Sequence, residues 1–177
     1  MGRPVRRKER IRSFAPVARR DARVLILGSM PGEESLRRRQ YYAYIHNAFW
    51  RIMGELLELD RVEYSERIRV LKSSGIALWD VLESCTRKGS SDTAIEGEVA
   101  NDFARFFARH TRIKCVFFNG AKAEASFRRH VLPRLPAGLR TTRLPSTSPA
   151  NASLPYRRKL EAWRVILAPV RTHRSRQ

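Results

Sequence analysis

The run RVLILG, Arg23 to Gly28, constrains the fold more than any other feature of the chain. Four consecutive large apolar residues stopped by a glycine leave no polar face for solvent. Strands that read apolar on both faces belong to parallel sheets covered on each side by helices. The same grammar recurs. A strand at Ile76 to Trp79 follows a helix whose start is marked by Ser65 and whose end is marked by Gly75. Another, Ile113 to Phe118, follows EVANDFARFFARH, in which Val99, Phe103, Phe106 and Phe107 recur at helical spacing. A weaker strand, Leu139 to Leu144, follows a helix from Ala121 to Val131, and a last helix from Tyr156 to about Val170 carries Leu160, Trp163 and Ile166 on one face. The alternation predicts an α/β fold in a single domain, with a parallel sheet of about four strands flanked by helices on both faces.

In such a sheet, ligands bind beyond the carboxyl ends of the strands. The polar oddities of this chain fall there: GSMPGEES after the first strand, Asp80 and the loop to Ile95 after the second, Asn119-Gly120 after the third, and PSTSPAN after the fourth. GSMPG lacks the spacing and the lysine of a phosphate loop. Gly28 permits a sharp exit from the strand, Pro31 fixes the backbone and Gly32 allows close approach, which also describes an ordinary turn. Ser146, Thr147, Ser148, Pro149, Ala150 and Asn151 are small, polar and proline-braced. They suit contacts to phosphates or a rigid edge pushed into a groove, as well as a capped loop before the last helix. Arg140, Arg143, Arg157 and Arg158 flank them and favour the phosphate reading.

Charge narrows the partner. The 36 Lys and Arg against 17 Asp and Glu leave +19, with a pI near 11.3, and such an excess points to a polyanion, most often nucleic acid. Thirty of the basic residues are arginine, a bias that fits phosphate recognition and equally a GC-rich genome. Residues 1–22 read as a partly disordered basic arm that reaches the domain around Phe14 to Val17, and residues 171–177 as a basic tail. Cys85 and Cys115 stand in no zinc or iron–sulfur spacing, so no metal and no cofactor is expected. No apolar run approaches the roughly 20 residues of a membrane span, and the basic N-terminus has no apolar segment after it. The expectation is a soluble cytoplasmic protein.

The stretch QYYAYIHNAFW, Gln40 to Trp50, sets a His–Asn pair among five aromatic rings. Together with GSMPGEESL before it, and with GIALWDVLESCTRKGSSDTAI, VFFNGAKA and LPSTSPANA after it, this segment resembles the uracil-DNA glycosylase superfamily, most closely its hypoxanthine-DNA glycosylase (DNA-deoxyinosine glycosylase) branch. The resemblance spans about Phe14 to Val170. It implies a glycosylase domain over 23–170, a base flipped out of duplex DNA, metal-free hydrolysis of an N-glycosidic bond and an abasic product. The implied partner is double-stranded DNA containing a damaged base, met by a nucleoid-associated monomer. Many members activate water with an Asp or Asn before the proline of the first motif, where this chain has Met30. The hypoxanthine branch uses an asparagine of the second segment, which falls on Asn47. Tyr42 aligns with the ring that stacks on the extruded base, and Asp80 with a base-reading asparagine. The implied base pocket is Gly28, Ser29, Met30, Pro31, Tyr42, Asp80 and Asn119. The DNA-binding set is Ser146 to Asn151 with Arg143 and Arg157. One departure stands out: Tyr44-Ile45-His46 replaces a usual His-Pro-Arg, while Asn47, Phe49 and Trp50 keep register.

The chemistry explains the residue types. Breaking a nucleoside C1′–N bond puts positive charge on the sugar and negative charge on the departing base. An asparagine oxygen can hold water facing C1′ with no charge to desolvate; Asn47 also suits an N-cap for a helix beginning at Ala48. Asp80 can accept the N1–H of hypoxanthine, with backbone amides near Met30 and Tyr42 for O6, and can equally be a cap or ion-pair partner. Asn119 either lines the pocket or satisfies a turn with Gly120, and His46 reads as a loop or capping residue. No catalytic lysine stands in the motif loops, so no Schiff-base lyase step is expected and the expected enzyme is monofunctional. Uracil or a mismatched base is the alternative substrate, and a catalytically inactive basic nucleic-acid-binding module of the same fold is the alternative class.

Overall fold

The computed structural model describes residues 9–59, 62–135 and 138–171. Its elements run β1 (Arg10–Arg12), β2 (Val24–Gly28), α1 (Glu33–Arg38), α2 (Phe49–Leu57), α3 (Tyr64–Ser73), β3 (Ile76–Asp80), β4 (Leu82–Thr86), β5 (Glu96–Ala100), α4 (Phe103–Arg109), β6 (Cys115–Asn119), α5 (Ala121–His130), β7 (Arg140–Leu144) and α6 (Tyr156–Trp163). The expected parallel sheet is present, in the order β3-β2-β6-β7 with every pairing parallel and helices flanking it. All five residues of β2 and of β3 are buried, the condition that forced their unbroken apolar sequences. Register matters for the site. Gly28 lies opposite Asp80, and Asn119 opposite Leu144, so neighbouring strands end level and their loops leave from one edge.

A second sheet, β1-β4-β5, is antiparallel. It corrects two expectations. Residues 98–100, read as the start of a helix, belong to β5, and Val99 is 44% exposed on it. The helix begins at Phe103, where Asp102 accepts a hydrogen bond from the Arg105 amide at 3.0 Å. Gly97 at φ +59 and the register shifts between β4 and β5 break any helical path, a tertiary choice that the spacing of the phenylalanines does not reveal. The basic arm is the other correction. Arg10, Ile11 and Arg12 pair with Thr86, Cys85 and Ser84, and Val17 exchanges two backbone hydrogen bonds with Leu78. The folded unit therefore includes Arg10 to Ala22, ahead of the expected start at residue 23: Ile11, Phe14 and Val17 pack against the core, while Arg10 and Arg12 on either side of Ile11 face out. The first eight residues of the expected arm and residues 172–177 of the tail lie outside the described residues.

Smaller differences are local. Ser65 sits inside the first turn of α3, whose cap position is Glu63, while Gly75 at φ +74 follows the helix end as expected. The last helix tightens after Trp163 into a 3₁₀ turn, Arg164–Leu167, followed by a single helical turn, Ala168–Arg171. Trp163, Phe49, Phe118 and Phe127 are the largest fully buried side chains, and they seat α2, α5 and α6 against the sheet.

Candidate active site

The four loops at the carboxyl edge enclose a cleft of about 850 Å³. Gly28, Ser29, Pro31, Tyr42, Asn47, Asp80, Asn119 and Ser146 to Asn151 all line it. Three expected residues do not. Met30 packs its side chain into the hydrophobic core at 6% exposure. Arg143 pairs with Glu124 at 3.4 Å on the outer face. Arg157 lines a separate groove beside Arg51 and Tyr156, between α2 and α6. Met30 lies in the bend after β2 with its side chain buried in the core, while Arg143 on β7 and Arg157 on α6 are exposed.

Asp80 is the most unusual group in the cleft. It ends β3 at 3% exposure, and its Oδ2 is buried without a hydrogen-bond partner among the described residues. Burial pushes this carboxyl up to about 7; the nearby Asp92 charge adds to the push and Arg87 opposes it. The approach is possible only because residue 28 is glycine. A β-carbon there would lie 2.5 Å from Asp80 Oδ1 and 2.9 Å from the Tyr42 hydroxyl. Gly28 thus gives up its side chain so that a carboxyl and a phenol can meet over the end of β2.

Tyr42 adopts φ +53, a left-handed conformation uncommon for an aromatic residue, and its neighbours hold it there. Tyr41 is clamped by the Tyr64 hydroxyl on its amide at 3.0 Å and by the Trp50 indole on its carbonyl at 2.7 Å. The Ala43 amide donates to Ser35 Oγ at 3.1 Å. The Tyr42 ring stacks on Phe49 with centroids 4.0 Å apart. Burial and the charge of Asp80 hold its phenol well above the ordinary value. Asn119 pulls the other way, but no hydrogen bond to the hydroxyl has good geometry.

Asn47 faces this pair from the start of α2. Its Oδ1 accepts the Phe49 amide at 3.0 Å, a local bond across the cap position Ala48 and not a side-chain cap of Asn47 on a helix beginning at Ala48, and a carboxamide oxygen keeps a second acceptor site. The next amide, Ala48, donates to Thr147 O at 2.9 Å and ties the segment to the PSTSPAN loop. Asn119 makes that tie double: its Nδ2 donates to Thr147 Oγ1 at 2.8 Å and its Oδ1 accepts the Thr147 amide at 2.9 Å. It lines the cleft as expected, but it clamps Thr147 instead of satisfying a turn. Gly120, at φ +94, lets Ser146 approach to where a β-carbon would be 3.0 Å from its Cβ. Much of the loop's polar capacity is spent internally, with Ser146 Oγ accepting the Ser148 amide and Ser148 Oγ the Ala150 amide.

Other contributors escaped the reading of the sequence. Ser29 Oγ donates to Asp92 Oδ1 at 2.7 Å, and Arg87 Nη2 donates to the Pro31 carbonyl while its Nε holds Gly89 O at 2.9 Å. Buried Lys159 donates to the Asn151 carbonyl at 2.8 Å. The signal for Arg87 and Asp92 was the polar loop RKGSSDT as a whole, and Lys159 on α6 gave none, because the bonds to Ser29, Pro31 and Asn151 join separate segments.

Known proteins agree with this architecture. The family model for the uracil DNA glycosylase superfamily matches residues 15–167. A protein of Methanosarcina barkeri named hypoxanthine DNA glycosylase is 39% identical over 112 residues, 62% of this chain and 71% of that protein. One of the same name from Methanosarcina acetivorans is 35% identical over 158 residues, 88% of this chain and 96% of its own. A solution NMR structure from Methanosarcina acetivorans, provisionally named a uracil DNA glycosylase, superposes with a TM-score of 0.77 at 32% identity, covering 92% of this chain and 99% of that one. Motif order, sheet topology and these matches over nearly the whole length converge: the chain belongs to the uracil DNA glycosylase superfamily.

Proposed function

We propose that the protein is a monofunctional DNA glycosylase that takes a deaminated base, hypoxanthine foremost, from duplex DNA into the cleft and hydrolyses its N-glycosidic bond. Asp80 carries this reading. A buried carboxyl raised to about 7 is half neutral near physiological pH, and it lines the cleft with one oxygen unpaired. In its neutral form it offers an acceptor and a donor side by side, the complement of hypoxanthine N1–H and O6. Its neutrality also suits a leaving group that gains negative charge, which a carboxylate would oppose. Tyr42, backed by Phe49, supplies a stacking surface worth roughly 1–3 kcal/mol per base. The second acceptor site of Asn47 Oδ1 holds the attacking water against C1′ while Phe49 N–H fixes the carboxamide. No nucleophilic side chain is required. Ser146 to Asn151 and the Arg-rich surface hold the phosphates.

The names of the relatives support the same substrate. Uracil also presents an N–H beside a carbonyl, so Asp80 alone does not separate the two bases. The test is a panel of labelled duplexes carrying one hypoxanthine, uracil or xanthine, treated with the protein and then with alkali. Strand cleavage at hypoxanthine ahead of the others is the expected result. Cleavage at uracil alone would move the substrate to the other base, and strong salt-dependent binding without cleavage would mark an inactive nucleic-acid-binding module.

A further inference from the structure

The residues that line the cleft include four carboxylic acids, Glu33, Glu34, Asp80 and Asp92, and no Lys, Arg or His. In a chain of net charge +19 this is the reverse of what a phosphate site needs. Glu34 is answered by Arg37 and Arg38 on α1. The other three form no ion pair among the described residues: the Asp92 carboxylate accepts from the Ser29 hydroxyl at 2.7 Å, Glu33 is exposed, and Asp80 Oδ2 is buried without a partner. Tyr42 and Tyr44 line the same walls, and the faces of such rings attract cations. The outer surface therefore draws a polyanion, while the cleft inside it favours a cation carried on that polyanion. DNA carries such a group wherever a purine has been alkylated at a ring nitrogen, because the added alkyl group gives the ring a formal positive charge.

We propose that the same cleft excises purines made cationic by N-alkylation and selects them by their charge. The inference rests on the preceding reading that the cleft receives a base from DNA and hydrolyses its glycosidic bond. A guanine methylated at N7 offers N1–H to Asp80, and an adenine methylated at N3 offers N6–H. Against either cation Asp80 acts as a carboxylate, so opposite charge offsets the burial that hypoxanthine meets by keeping this group neutral. Asp92 raises the Asp80 carboxyl and Arg87 lowers it, and the Tyr41 and Tyr42 phenols are the other titratable groups against it. The step balances without a charged base: the C1′–N9 electron pair passes to the ring and cancels its charge, a neutral alkylpurine leaves, water supplies the oxygen at C1′, and a proton goes to solvent. Unmodified guanine shares N1–H and O6 but has no charge to cancel and would leave as an anion, which the acidic walls oppose.

The experiment incubates the full chain with DNA methylated by dimethyl sulfate and with a duplex carrying one hypoxanthine, at pH 6, 7 and 8. Released 7-methylguanine, 3-methyladenine and hypoxanthine are separated by chromatography, and spontaneous release is measured without protein. At least one methylated purine is expected to leave about tenfold or more faster than it does spontaneously, at a rate that holds or rises with pH while hypoxanthine release falls. Glu33→Gln removes one wall charge and leaves Asp80, Tyr42 and Asn47 in place. It should slow methylpurine release by about threefold at low salt and leave hypoxanthine release within about twofold. Hypoxanthine release with methylated purines at their spontaneous rate overturns the inference and leaves the preceding reading intact. Methylpurine release that falls with pH in step with hypoxanthine, or that Glu33→Gln leaves unchanged, overturns selection by charge. Methylpurine release without hypoxanthine upholds the inference and refutes the preceding choice of base, and release of neither refutes both.

Discussion

Asp80→Asn should make the protein more stable above neutral pH, and by an amount that the structure sets. The carboxyl rises from an ordinary 3.8 to about 7, chiefly because it is buried at 3% exposure. At about 1.36 kcal/mol per tenfold change in proton affinity, the ionised form costs the folded state about 4 kcal/mol. The sign follows from proton binding. Between pH 4 and 7 the folded chain holds a proton on Asp80 that the unfolded chain has released, so stability falls as pH rises through that window and stays low above it. Asparagine keeps the shape, has no charge to desolvate and lacks this dependence. Urea unfolding of both proteins at pH 4, 5.5, 7 and 8.5 isolates the effect, since every other titrating group is common to the two. The expected difference is near zero at pH 4 and grows to about 2–4 kcal/mol in favour of the variant at pH 8.5. Parallel curves for the two proteins would show that Asp80 titrates as an ordinary surface acid and would remove the basis of the base-reading proposal. A residue kept at such a cost fits a functional site.

Three further outcomes follow from the same geometry. Hypoxanthine excision by the wild-type protein should decline as pH rises through about 7, because the neutral form of Asp80 is the one that meets both N1–H and O6; a pH–rate profile flat to pH 9 would contradict this. Gly28→Ala places a methyl group 2.5 Å from Asp80 Oδ1, so calorimetry should show a loss of about 1–3 kcal/mol, accompanied by a fall in excision. Asn119→Ala strips two hydrogen bonds from Thr147, which is 1% exposed, and should cost about 2 kcal/mol or more in denaturant titration while loosening the PSTSPAN loop toward protease.

The parallel sheet was legible because burial on both faces leaves a mark that no solvent-facing strand can imitate: β2 reads VLIL and β3 reads IALW. The antiparallel sheet was not. β1 is Arg-Ile-Arg, β4 mixes Leu, Ser and Cys with Glu and Thr, and β5 carries two glutamates and a glycine, so none of them holds a clean period. Their pairing is settled by long-range partners such as Arg10, which reaches Ser84 at 2.9 Å and Gly97 O at 2.8 Å. The site divided in the same way. Gly28, Tyr42, Asn47 and Asp80 were singled out through motif order, and all four line one cleft. Asn119 lines the cleft as expected, but its clamp on Thr147, 28 residues away, has no local pattern to announce it. Met30 was counted with its motif neighbours, yet its side chain turns into the core.

The most direct measurement is release of free hypoxanthine, quantified by chromatography, from a deoxyinosine-containing duplex under single-turnover conditions with the wild-type protein and with Asn47→Ala. DNA affinity is measured on the same samples. The expected result is stoichiometric release by the wild type, release slowed by about a hundredfold or more in the variant, and affinity within a few-fold of the original. Asn47→Ala also loses the bond that holds the Phe49 amide at the start of α2, a penalty of about 1 kcal/mol that a melting curve records separately. Release at the wild-type rate by a folded Asn47→Ala protein would contradict the assignment of the water-holding residue, and no release by the wild type would contradict hydrolysis itself.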